Sequence, residues 1–119
     1  MLPAINRLCL KTELKKVKQK GRFFPGQFFS LISAVSLSQV SPRFAFIISK
    51  RVAPKAFQRN KAKRLLAEAV YFLLPRIKPG VKGVFLVKKK ILGQNLEMIK
   101  KETEKIFRES NLVNEKTTA

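Results

Sequence analysis

The chain has 119 residues, of which 26 are Lys or Arg and 7 are acidic, giving a formal charge of +19 with no His to titrate. This imbalance selects polyanionic partners, and the absence of Asp, His and Trp removes most side chains on which acid–base and metal chemistry draw. A self-sufficient protein enzyme is therefore disfavoured, while 45% hydrophobic residues, ten Phe among them, exclude disorder and suit one domain with a real core.

Cys9 is the single cysteine, so the chain has no intramolecular disulfide and no second Cys or His for a zinc site, which fits a reducing cytoplasm. The longest uncharged run, residues 23–42, is 20 residues long but holds Pro25-Gly26, five Ser and two Gln, so it reads as strand and loop, not as a membrane span. Arg7 interrupts the apolar N-terminus, which disfavours a secretory signal.

Residues 12–20 read as a short helix with Leu14 and Val17 facing inward and Gly21 placed to end it. After a Pro25-Gly26 turn, residues 27–35 read as a strand and 36–42 as a loop. Residues 44–49 are a second strand, apolar enough to be covered on both faces. Residues 56–74 form the most informative element. At about 100° per residue from Arg59, Ala62, Leu65, Leu66, Ala69, Val70, Phe72 and Leu73 share an apolar arc, with Lys63, Asn60 and Arg64 beyond it. Pro75 stops this helix, Pro79-Gly80 turns the chain, and residues 83–87 form a third strand. A last helix spans residues 95–110, with Asn95 as N-cap and Leu96, Ile99, Ile106 and Phe107 on its apolar side. A further short strand is expected at residues 22–24 or 50–52. The sum is α+β: one domain over residues 1–110, then a polar tail, residues 111–119, expected to fray.

Between Arg43 and Lys90 stand 14 basic residues and one acid, Glu68. A charge run is ordinarily a solvated face, but solvated faces mix signs to avoid self-repulsion, and this one does not. Nucleic acid is the partner that this composition favours; an anionic membrane would require an exposed apolar face beside the Lys residues. Arg59, Asn60, Lys63 and Arg64 offer guanidinium forks, an amide and an ammonium to phosphates and sugars. Most of the Phe residues must build the core, and Phe28 and Phe29, adjacent on a strand, should point to opposite faces, with one of them presented. Five of the seven Glu lie between Glu97 and Glu115, away from the basic segment, so a carboxylate cage for a metal nuclease is not expected.

The run Phe46-Ile47-Ile48-Ser49-Lys50-Arg51-Val52, followed by Gln58-Arg59-Asn60-Lys61-Ala62-Lys63-Arg64-Leu65-Leu66-Ala67-Glu68, resembles the protein subunit of bacterial ribonuclease P. Asn6-Arg7-Leu8, the helix ending at Gly21, Gln27-Phe28 and the last amphipathic helix fall in the same order, so the similarity covers residues 6–107. The resemblance implies a small, mostly antiparallel sheet of about four strands with three helices and a left-handed crossover through the basic helix. It also implies a partnership with one catalytic RNA, which with bound magnesium cleaves precursor tRNA, while the protein contacts the 5′ leader. No catalytic protein side chain, protein-held metal, membrane or stable protein partner is implied. Carried over by position, the RNA-binding residues are Lys50, Arg51, Lys55, Arg59, Asn60, Lys61, Lys63 and Arg64. Lys61 stands in place of the motif's second Arg, and Ala67 where another Arg is common. Leu14, Lys18 and Leu31 fall at leader-cleft positions that often carry aromatics, with Phe29 on the same strand as a substitute. The alternative reading is a ribosomal or other structural RNA-binding protein.

Overall fold

In a computed structural model that describes residues 2–36 and 41–113, the elements follow as α1 (Leu10–Lys20), β1 (Arg22–Phe24), β2 (Phe29–Val35), β3 (Arg43–Ile47), α2 (Ala56–Leu73), β4 (Val81–Val87) and α3 (Leu96–Glu109). The strands form one sheet in the order β1-β2-β4-β3, antiparallel except for the β3/β4 pair, which is parallel and joined through α2. This is the expected α+β class, and the extra strand falls at Arg22–Phe24, whereas residues 50–52 form a turn. The expected loop at residues 36–42 lies mostly outside the described residues.

Helices cover both faces of the sheet. Because side chains alternate along a strand, Phe29 and Leu31 of β2 join Phe44, Phe85 and Phe107 in the larger core under α2 and α3, while Ile32 meets Val17 of α1, Ala45 and Val84 on the other face. Phe85 anchors the larger core, with ring centroids 4.7 Å from Phe29, 5.0 Å from Phe46 and 6.0 Å from Phe107. Phe28 corrects the expectation that one ring of the Phe28–Phe29 pair is presented. It precedes β2 in a bend, where strand alternation does not apply, and both rings are buried. Gly21 ends α1 by close approach, not by a left-handed turn: a Cβ there would stand 2.8 Å from Ile32 Cγ2 and 2.9 Å from the Ser33 carbonyl oxygen.

The seat of α2 differs from the expected arc. Ala67 is buried at 7% exposure, whereas Phe72 is 56% exposed, its ring lying 4.2 Å below the Lys100 ammonium. Rolling the helix toward its basic side tucks the small Ala67 side chain against the sheet edge and frees the bulky ring at the opposite margin. On α3, Asn95 caps the helix by accepting from the Met98 N–H at 3.0 Å. Glu102, one turn before Ile106, receives the N–H groups of Gln27, Phe28 and Phe29 at 3.0, 2.6 and 3.3 Å, fixing the bend that enters β2. The packed chain also runs past the expected boundary at residue 110. Asn111 adopts φ 61°, which reverses the chain after α3, and Leu112 and Val113 are buried, with the Leu112 carbonyl accepting from the Lys78 N–H at 2.8 Å. Residues 114–119 lie outside the described residues.

Candidate nucleic-acid interface

The Ser-Lys-Arg run leaves β3 in a turn that Ser49 organises. Its carbonyl accepts from Val52 and Ala53 at 3.1 and 3.0 Å, and its hydroxyl accepts from the Val52 N–H at 3.2 Å. Lys50 and Arg51 are thereby held exposed at the tip. The turn delivers Lys55 to the N-cap of α2, where the Gln58 side chain accepts from the Lys55 N–H at 3.2 Å. No acid occupies the first turn of α2, so its positive dipole end adds to Lys55, Lys61, Lys63 and Arg64 instead of being neutralised.

Among the described residues, the ion pairs join Glu13 to Lys16 and Lys82, and Glu104 to Arg76 and Arg108. None of them reaches Lys50, Arg51, Lys55, Lys61, Lys63 or Arg64, and all six are exposed. A concentration of like charge that forms no ion pair among the described residues is costly in isolation and is relieved by a polyanion.

Arg59 departs from this set. Its position at the origin of the helical wheel lies on the buried arc, and the side chain is half-buried, with Nη1 donating to the carbonyl oxygens of Ala53 and Pro54 at 2.8 and 3.0 Å. The remaining residues divide between two flanks. Asn60, Lys63 and Arg64 border a cavity over β3, joined there by Arg7, which the sequence reading did not place in the site. Lys61 instead faces the groove between α2 and the segment after β4, beside the exposed Phe57 ring. Arg7 is brought in because the preceding Asn6 donates from Nδ2 to the Pro42 carbonyl at 2.8 Å and Leu8 donates to the Phe44 carbonyl at 2.9 Å, stitching the N-terminal segment along β3.

The leader-cleft assignment needs correction at two of its four residues. Leu14 is half-buried on α1 and Lys18 is exposed, but Phe29 and Leu31 have no exposed surface, because strand parity turns both away from α1 into the larger core. The α1 side of β2 carries Ile32 instead. Directly across from Ile32, Phe23 of β1 is 58% exposed, which makes its ring the aromatic surface on that side. The signal was available in principle: a strand at residues 22–24, paired one-to-one with β2, puts Phe23 and Ile32 on the same side.

A mixed four-stranded sheet covered on both faces, with a basic helix whose N-terminal half forms no ion pair among the described residues, defines a small α+β protein charged for a polyanion. The chain belongs to the ribonuclease P protein family, whose model, described as Ribonuclease P, matches residues 2–111. It is 30% identical to the ribonuclease P protein component of Microcystis aeruginosa, covering 94% of this chain and 96% of that one. With its counterpart from Rippkaea orientalis it shares 29% identity, over 94% and 91% of the two chains. The fold matches the RNase P protein of Staphylococcus aureus with a TM-score of 0.82 at 16% identity, over 92% of this chain and 98% of that one. The Thermotoga maritima protein matches with a TM-score of 0.75 at 20% identity, over 86% and 96%. Membership places the chain in tRNA processing by a ribonucleoprotein.

Proposed function

We propose that this chain is the protein subunit of ribonuclease P, which binds the catalytic RNA through the exposed cations of α2 and its preceding turn, and the 5′ leader of precursor tRNA across the α1 side of the sheet. The observation that carries this reading is the group of cations from Lys50 to Arg64, all but Arg59 exposed and none paired with a carboxylate among the described residues. Its contribution is to neutralise phosphates, so that two RNAs approach each other and the leader is held beside the scissile bond.

Endonucleolytic removal of the leader is assigned to the RNA. The side chains do not fit a resident metal: among the described residues no three of His, Cys, Asp or Glu come together, and the acids that are close to cations are engaged by them. In this reading magnesium is held by the RNA partner, and the protein supplies binding and position. A cytoplasmic location follows from this activity, since precursor tRNA is made there.

Sequencing the RNA that copurifies with the tagged full-length chain tests the reading. One abundant structured RNA together with precursor tRNA is the expected result. Ribosomal RNA alone would instead support a structural RNA-binding protein.

A further inference from the structure

We propose that the cavity over the outer edge of β3, beyond its bond to Leu8, is a pocket for one unstacked nucleotide of the RNA partner, taking the base against its apolar floor and the phosphates at its cationic rim. The proposal rests on the RNA-binding reading above and deepens it.

The cavity is about 460 Å³, within the range of about 300 to 1,000 Å³ that small-ligand sites occupy. Its floor is made by Leu8, Leu10, Phe44 and Phe46, and its rim by Arg7, Asn60, Lys63 and Arg64. No acid borders it. A flat heteroaromatic base gains contact from such a floor, and a phosphodiester on either side of the base gains from three cations spread around the opening.

The strand edge adds polar recognition. β3 bonds to β4 on one side only, and its other edge receives the Leu8 N–H at the Phe44 carbonyl. Alternation of period two aims the N–H and C=O of Phe46 the same way as those of Phe44, toward the cavity, where they offer one donor and one acceptor to the edge of a base. The exposed Asn60 amide, which can both donate and accept, lies on the opposite wall. Arg7 is held in place by donation from Nε to the Leu2 carbonyl at 2.9 Å, which leaves its terminal nitrogens for a phosphate. A peptide strand without acidic side chains could use the backbone edge but would leave the three cations unpaired, whereas a nucleotide uses the whole lining.

Fluorescence anisotropy of the full-length chain tests the pocket. The probes are a labelled oligoadenylate of about ten nucleotides, which is the span of a single-strand groove, an abasic strand of equal length, and the corresponding duplex. The wild-type protein should prefer the oligoadenylate to the abasic strand by about tenfold at equal salt. Ala67→Met, which fills the cavity from α2, should abolish that preference and leave abasic binding unchanged. Lys63→Ala should weaken all three probes. Leu10→Ser, which alters the half-buried wall without touching the core under α2, gives the same readout should Ala67→Met fail to fold. A base preference that survives both variants in folded protein would overturn the pocket, as would a wild type without any preference that still assembles with the catalytic RNA. Failure to bind any probe or the catalytic RNA would overturn the RNA-binding reading itself.

Discussion

Arg59 Nη1 donates to the carbonyl oxygen of Ala53 at 2.8 Å, tying the basic helix to the turn that leads into it. A residue that the motif offers as an RNA contact is thus also part of the scaffold that aims Lys50, Arg51 and Lys55. Arg59→Ala should cost about 1.5 to 3 kcal/mol of stability, the range for hydrogen bonds to charged groups, and also weaken RNA binding. Arg64→Ala, at an exposed position, should weaken RNA binding while changing stability by no more than about 0.5 kcal/mol. Urea denaturation beside RNA titration separates the two effects. Equal stability losses would contradict the assigned division.

Glu13 of α1 and Lys82 of β4 meet at 2.6 Å, a contact that closes α1 onto the sheet. The hydrogen bond from Lys82 holds the Glu13 carboxyl below the usual carboxylate range. A folded-state pKa that is depressed contributes stability above the unfolded value and loses it as pH falls through the folded one. Acidification below the ordinary carboxylate range should therefore loosen α1, and Glu13→Gln should flatten that part of the pH–stability curve. An unchanged acid limb in the variant would show that the pair does not secure α1.

Much of the architecture was legible because period and punctuation agree. The Pro and Gly breaks, the Asn95 cap and the apolar stripe of α3 lie where the sequence puts them. The errors have one physical root: short-range periodicity does not say which partner covers a face. The resemblance puts Leu31 at the cleft with Phe29 beside it on the strand, yet parity against β4 decided their side. Ala67 sits outside the apolar arc of an ideal wheel, and it is covered because α2 rolls toward the sheet edge, where the core also takes in Leu2 of the N-terminal segment. The reach of Glu102 to three amides at residues 27–29 is a contact across more than seventy residues, beyond any local pattern.

Phe23 should take the role first expected of Phe29. Stacking contributes about 1 to 3 kcal/mol per base, so Phe23→Ala should reduce the advantage of a precursor tRNA with a leader of about eight nucleotides over one with about two. Phe29→Leu, within the core, should lower stability and leave the leader advantage in folded protein intact. Lys18→Ala should reduce the same advantage most at low salt. The reverse pattern for the two Phe variants would return the aromatic contact to β2.

Affinity for the catalytic RNA should fall steeply with ionic strength. Coverage of about five to eight phosphates, at roughly 0.7 to 0.9 per phosphate, gives a log–log slope of about −4 to −7. Lys63→Ala should reduce its magnitude by about one. A nearly flat dependence would mean that the cations of α2 lie away from the RNA.

Reconstitution tests the central claim most directly: purified chain, the candidate catalytic RNA and precursor tRNA, assayed for release of the 5′ leader at low magnesium. The account predicts cleavage at the mature 5′ end that requires the RNA and is strongly enhanced by the protein, with a smaller enhancement from Lys63→Ala/Arg64→Ala. Leader release by the protein alone, or RNA-dependent release that the protein does not enhance, would contradict it.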